Sequence, residues 1–370
     1  MPHTKRVLLA ACLLASGHAA GACGRRDAGL PDEASPQAAR LYVTSGLTDQ
    51  VMRLDPETGA VVSTFDLDMR RDEVDEPHGV TISPDGRHWY VTVAHGNPTL
   101  WKFELPDDRL VGRLPLGSKG AARVGVTPDG RLAFVPDYDR AGTGAVSEVT
   151  VIRTEDLQLV GRVEVCPAPH DAQVSPDGSL VGVTCSLSDE LAFLDPATLD
   201  VVHRFVVGPE PGPPGEPRYK PLNLVWTPDG RFVHVTLSAA ALIRTFSLEG
   251  DAVAEVPVGD GPAQLASALD GGILVTANRL DRTASVVEVS FSLDGKPRLE
   301  ERRRLELDVP YPHGVALTPD GGKAFVTYEG EPGRAAGVVA VSTGDGAIAW
   351  MAEVGAYLLG AAYYAPESGP

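Results

Sequence analysis

The stretch Val80-Thr81-Ile82-Ser83-Pro84-Asp85-Gly86, followed closely by Trp89-Tyr90-Val91-Thr92, decides the fold. Two β-branched and aromatic runs flank a tight turn. In that turn Pro presets φ, Asp bonds back to the chain and Gly takes a positive φ. The phrase returns at Val124–Gly130, Ala172–Gly178, Leu224–Gly230, Leu265–Gly271 and Val315–Gly321. The fifth copy is worn, with Ala268-Leu269-Asp270-Gly271 at the turn. The turn aspartates are Asp85, Asp129, Asp177, Asp229, Asp270 and Asp320, spaced 41 to 52 residues apart. That period suits a four-stranded propeller blade. Two further short strands follow each pair, as in Leu191–Leu194, Asp195-Pro196-Ala197-Thr198 and Val201–Val207. Each unit therefore reads as strands a, b, c and d.

The ends set the count. Residues 40–68 supply strands b, c and d without an a strand, and Leu358–Glu367 reads as an isolated a strand. Joining the two closes a ring and removes free edges. Six internal units and this composite predict a seven-bladed, all-β propeller over residues 40–367.

Phrases such as Pro77-His78-Gly79-Val80 with Tyr90-Val91-Thr92, and Pro312-His313-Gly314-Val315 with Phe325-Val326-Thr327, resemble the YVTN-repeat β-propellers of bacteria and archaea. The resemblance covers nearly the whole chain after residue 40. It implies the lactonase-like and cytochrome-d1-like propeller superfamily, and it implies little about chemistry.

Composition narrows the partners. The net charge is −18 over 370 residues. Such a chain repels nucleic-acid phosphates and anionic lipid headgroups. The run Glu301-Arg302-Arg303-Arg304 reads as a solvated strand edge. Residues 1–22 have a basic start at Lys5 and Arg6, an apolar run from Val7 to Ser16 and small residues up to Cys23, which together read as an export signal. Ala20-Gly21-Ala22-Cys23 resembles a lipobox, with Cys23 the acylated residue; ordinary cleavage near Ala22 is the other reading. Residues 23–39 read as a lipidated cysteine and flexible tether. The expectation is an exported protein on the periplasmic or cell-surface side. It is held to a bacterial membrane (the outer membrane favoured) by lipid alone, or is soluble in the periplasm, and is monomeric.

Cys166 and Cys185 remain as an even pair in an oxidising compartment, either bonded or as two buried thiols. No Cys-x-x-Cys-His occurs, so no covalent c-type haem is expected.

In a propeller the d–a and b–c connections share one face, and the PDG turns crowd the other. Candidate ligand-binding residues therefore lie at starts of strand a and ends of strand b. His78, His170 and His313 occupy one repeat position at the start of strand a, where Ala122, Leu222, Ala263 and Gly360 stand in the other blades. They suit a divalent metal ion or a general base. Equally, each ring suits a bond to a neighbouring carbonyl. Asp137, Asp139, Asn278 and Glu329 are polar candidates at strand ends, alongside His95, Tyr138, Arg279 and Asp281. The loop Pro209–Pro221 carries Arg218, Tyr219 and Lys220, while residues 69–76 form an acidic counterpart. The sequence holds no phosphate-binding loop, G-x-S-x-G elbow, H-E-x-x-H or dinucleotide fingerprint. The first expectation is a non-enzymatic scaffold that binds an envelope protein or small ligand. The alternative is a metal-assisted, lactonase-like hydrolase with its site at the channel mouth.

Overall fold

The computed structural model describes residues 38–70, 72–139, 144–332 and 334–366. Cys23, the export signal, most of the tether and Glu367 lie outside the described residues. Seven four-stranded antiparallel sheets form the blades of a β-propeller. The blade that closes the ring pairs Leu358–Tyr364 with Arg40–Ser45, in the register Arg40↔Tyr364, Leu41↔Tyr363, Tyr42↔Ala362 and Val43↔Ala361. Its outer strands are Gln50–Leu54 and Val61–Asp66. The first and last strands of the domain thus complete one sheet, and neither is left as an open edge.

Numbering this blade 1, strands a begin at Pro77 (blade 2), Gly125 (3), Pro169 (4), Pro221 (5), Pro262 (6) and Pro312 (7). Burial falls outward along each blade. The b strand Arg40–Ser45 is buried throughout, whereas the outermost strand Val61–Asp66 alternates exposed and half-buried residues. The apolar core fills the seams between blades. Between blades 1 and 2, Trp89 stacks on Phe103 at 3.9 Å and on Tyr42 at 4.9 Å. The same seam buries Asp108, which accepts from Trp89 Nε1 at 2.9 Å and Tyr42 Oη at 2.5 Å and pairs with Arg40 and Arg53. A buried carboxylate is tolerated where donors surround it in this way.

The recurring turn has a physical basis. Asp85 Oδ1 accepts from Ser83 Oγ at 2.6 Å and from Arg87 N at 3.0 Å. Thr127–Asp129, Ser175–Asp177, Thr227–Asp229 and Thr318–Asp320 repeat the hydroxyl contact at 2.6 Å. In the worn copy Asp270 keeps its backbone bond to Gly272 N, but Ala268 offers no hydroxyl.

In five blades the threonine that closes the Tyr-Val-Thr-like phrase stitches blade to blade, whereas Thr276 of blade 6 bonds to Gln264 O in its own blade. Thr92 Oγ1 accepts from Gly79 N at 3.0 Å and donates to Ala122 O in the next blade at 2.7 Å. Thr184 and Thr327 do the same, accepting from Asp171 N and Gly314 N and donating to Leu222 O and Leu359 O. Thr44 and Thr236 follow the pattern through Gly360 N and His78 O, and through Asn223 N and Ala263 O. This register corrects one expectation. The blade 1 residue equivalent to His78 is Leu359, and Gly360 matches Gly79. A Cβ on Gly360 would lie 2.4 Å from His78 O, and one on Gly314 would lie 2.1 Å from Leu359 O. Gly79, Gly314 and Gly360 are therefore held to glycine by the close approach of neighbouring inner strands, whereas Asp171 follows His170 in blade 4.

Candidate functional site

The mouth opposite the PDG turns is built by the residues that enter strand a. The residue just before that strand is left-handed in several blades, with φ of +55° at Glu76, +53° at Lys220 and +60° at Tyr357. A distant aspartate holds two of these loops. Asp189 accepts four backbone N–H groups, from Gly212, Arg218, Tyr219 and Lys220, at 2.7–2.9 Å. The Pro/Gly-rich loop is therefore an ordered arch. Asp49 Oδ1 accepts from Asp75 N at 2.8 Å and Glu76 N at 3.1 Å.

These loops ring a cavity of about 250 Å³, lined by Glu76, His78, His95, Tyr138, His170, Lys220, Arg279, His313, Glu329 and Tyr357, among others. The three histidines from blades 2, 4 and 7 meet there. Ring centroids lie 5.8 Å apart for His78 and His170, and 6.0 Å apart for His78 and His313. Tyr138 packs edge-on to His170 at 4.8 Å.

The three rings are not equivalent. His170 Nδ1 lies 2.8 Å from Leu222 O, and His313 Nδ1 lies 3.2 Å from Leu359 O. A carbonyl oxygen only accepts, so each Nδ1 carries the proton and each Nε2 keeps its lone pair. Burial pushes His170 down to about 3, with His78 beside it adding to the effect and the Leu222 bond opposing it. Burial, then His78 and Arg279, hold His313 well below the ordinary histidine range. Both rings are neutral at pH 7. His78 differs: its Nδ1 faces Glu76 Oε1 at 3.7 Å, and its Nε2 is buried without a hydrogen-bond partner. Glu76 Oε2 also lies 3.6 Å from His95 Nε2.

Other predicted residues divide between the mouth and the scaffold. Glu329 is in the mouth, in a bidentate pair with Arg279 at 2.6 Å for both contacts. Lys220 is on the rim. Asp137 turns to the loop that enters blade 3, accepting from Lys119 N at 3.1 Å and Gly120 N at 2.8 Å. Asp139 pairs with Lys119 at 3.6 Å. Asn278 donates to Thr283 and Ser285 hydroxyls, both at 2.8 Å. Arg218 pairs with Glu210 at 2.7 Å. None of these four lines the cavity. Cys166 and Cys185 are joined as a disulfide, with Cα atoms 5.7 Å apart, which ties strand d of blade 3 to strand b of blade 4. Glu76 and Tyr357 were not singled out from sequence. Their signal is faint: each is merely the residue before the start of strand a.

The histidines do not offer three ligand atoms within 4.8 Å of one another. Among the described residues, the His, Cys, Asp or Glu set that does so is Asp49, Asp68 and Asp75. The mouth as placed does not fit a metal held by the three imidazoles.

No protein-family model matches the chain, and no curated protein matches it. Solved structures do. A periplasmic gluconolactonase of Pseudomonas aeruginosa aligns with a TM-score of 0.67 at 18% identity, covering 89% of this chain and 100% of that one. The likeness is one of fold. A functionally unknown protein of Desulfotomaculum acetoxidans aligns with a TM-score of 0.68 at 16% identity, covering 86% and 98%. Hydrazine synthase of Kuenenia stuttgartiensis aligns with a TM-score of 0.59 at 18% identity, covering 75% and 79%. Such differently titled proteins on one fold leave the chemistry to the site itself.

Proposed function

We propose that the channel mouth hydrolyses a small lactone or related ester, with His78 as the base and Glu76 as the residue that orients it. The observation that carries this is His78 itself: one ring nitrogen faces a buried carboxylate and the other is buried and unpartnered beside the cavity. That is the arrangement of an oriented general base, whose contacts tighten when substrate binds. Water attacks the ester carbonyl carbon as Nε2 takes its proton. The ring C–O bond then breaks, and the proton passes to the leaving oxygen, giving a hydroxy acid. Neutral His170 and His313 accept hydrogen bonds from substrate hydroxyls. Lys220 places positive charge near the developing oxyanion. The lactone class is suggested by the fold likeness to the gluconolactonase, and the base is argued from the geometry alone.

A second reading is ligand binding without turnover. Arg279 and Glu329 already satisfy each other, as expected of a rigid preformed cup. In either case we place the protein in the cell envelope. The anchor would be Cys23 and the repeats YVTN-like, and a disulfide suits an oxidising compartment.

Proton release from a panel of aldonolactones, followed by pH-stat, tests the hydrolase. Thermal shifts with the matching hydroxy acids test binding. H78Q and E76Q should each lower kcat/KM, H78Q by about 10²- to 10⁴-fold. Binding without turnover would move the assignment to the second reading. Neither binding nor turnover would sink both.

A further inference from the structure

We propose that the loop entering blade 2 binds a calcium ion between Asp49, Asp68 and Asp75. The ion would fasten the segment that carries Glu76 to the mouth. Each of the three carboxylates offers an oxygen within 4.8 Å of the others. Acidic groups gather on surfaces without any ion, so the weight falls on two further observations.

The first is an orphaned oxygen. Asp75 is 0% exposed, and its Oδ2 accepts from Met69 N at 3.1 Å. Its Oδ1 is buried with no hydrogen-bond partner, while Glu73 Oε1, also buried, faces the Arg70 guanidinium at 3.5 Å. A buried carboxylate oxygen without a donor is costly. Both oxygens lie close to the α-carbon of Gly96. A Cβ there would fall 2.5 Å from Asp75 Oδ1 and 3.2 Å from Glu73 Oε1, at a residue whose φ is +62°.

The second is a contrast between equivalent blades. Asp189 and Asp49 each precede a strand c and each hold the loop to the next blade. Asp189 spends both oxygens on backbone N–H groups, two on each. Asp49 spends only Oδ1, on Asp75 N and Glu76 N. Where the first loop is fastened by its own amides, the second brings carboxylates together.

The donor set selects the ion. All ligands are carboxylate oxygens, which suit a hard cation and disfavour zinc or copper. Asp68 is exposed and leaves room for water. An irregular, partly open oxygen site suits calcium better than the strict octahedron of magnesium. The site is independent of the hydrolase reading, since it is argued from the fastening of the loop.

The test uses the purified protein, stripped with EDTA and dialysed. Calcium chloride should bind at one ion per chain by calorimetry. At about 100 times its dissociation constant it should raise the melting temperature by about 4 °C. D75N should abolish the shift. Because Asp75 is buried, D68N at an exposed position is the companion variant; it should melt like the stripped wild type and respond to calcium only weakly. Coincident melts with and without calcium, together with no heat of binding, would overturn the proposal. So would an undiminished response in both variants, or stabilisation by magnesium alone.

Discussion

Acid should weaken this propeller through His170, and a substitution borrowed from its own repeat should remove the effect. In the folded protein the ring is held neutral, pushed down to about 3 mainly by burial. In the unfolded chain it titrates at the ordinary 6.5. Between these values the unfolded state binds the extra proton, so stability falls as pH falls from 6.5 toward 3. At pH 5 the solution is about 1.5 units below the ordinary value. At about 1.4 kcal/mol per unit, His170 alone then costs about 2 kcal/mol relative to pH 7.5. For a domain of this size that is about 3 °C in melting temperature. His313 works in the same direction. The groups around His170 explain why no compensation is at hand: His78 and Tyr138 face the ring, and the Leu222 carbonyl already holds Nδ1. Leucine occupies the same position as Leu222 and Leu359, so H170L suits the local backbone. Urea unfolding of wild type and H170L at pH 7.5, 6.5, 5.5 and 5.0 gives the comparison. The wild-type loss between pH 7.5 and 5 should exceed that of H170L by about 2 kcal/mol, because other titrating groups are common to both. Parallel pH profiles would refute the account of a neutral, desolvated imidazole.

Two further outcomes test the scaffold. The disulfide closes a loop with a sequence separation of 19. C166S/C185S should therefore cost about 3 kcal/mol of stability on the chain-entropy account, read as a lower urea midpoint; an unchanged midpoint would count against that account. Removing residues 357–370 takes away strand a of blade 1 and exposes the edge of Arg40–Ser45, so cooperative melting should vanish and aggregation should appear in light scattering, whereas an intact melt would disprove closure.

The fold was legible because its signals are local. Pro-Asp-Gly turns are set by residues two to four apart, as the Ser83–Asp85 bond illustrates. Thr92 could be read as part of a strand, but its bond to Ala122 in the next blade could not. The histidine position was legible by aligning repeats, and a slip of one residue in the worn last strand put Gly360 where Leu359 stands. The distances between the histidines were not legible, because blades 2, 4 and 7 are brought together only by the curvature of the ring. Asp137 shows a further limit. A carboxylate at a strand end has the same sequence appearance whether it meets a ligand or fastens a neighbouring loop, and here it holds the amides of Lys119 and Gly120.

The chemistry of the mouth arises where the repeat departs from itself. The backbone at the start of strand a is shared by the blades, down to the left-handed residue before it in blades 1, 2, 4, 5, 6 and 7. Where the repeat places Leu222, Ala263 or Leu359, three blades place imidazoles instead. In the loop position before them, Ala168 and Gly261 are small, while Glu76 brings a carboxylate, Lys220 an amine, and Tyr311 and Tyr357 phenols. The stitching that makes the ring rigid therefore also fixes the reactive groups. Thr44 bonds to the His78 carbonyl from the neighbouring blade, and Asp49 holds the amide of Glu76. Both members of the proposed base pair are thus positioned by blade 1, the blade that exists only when the two ends of the domain meet. A break in that joint should disable the mouth before it disturbs the distant blades, so activity and ring closure should be lost together.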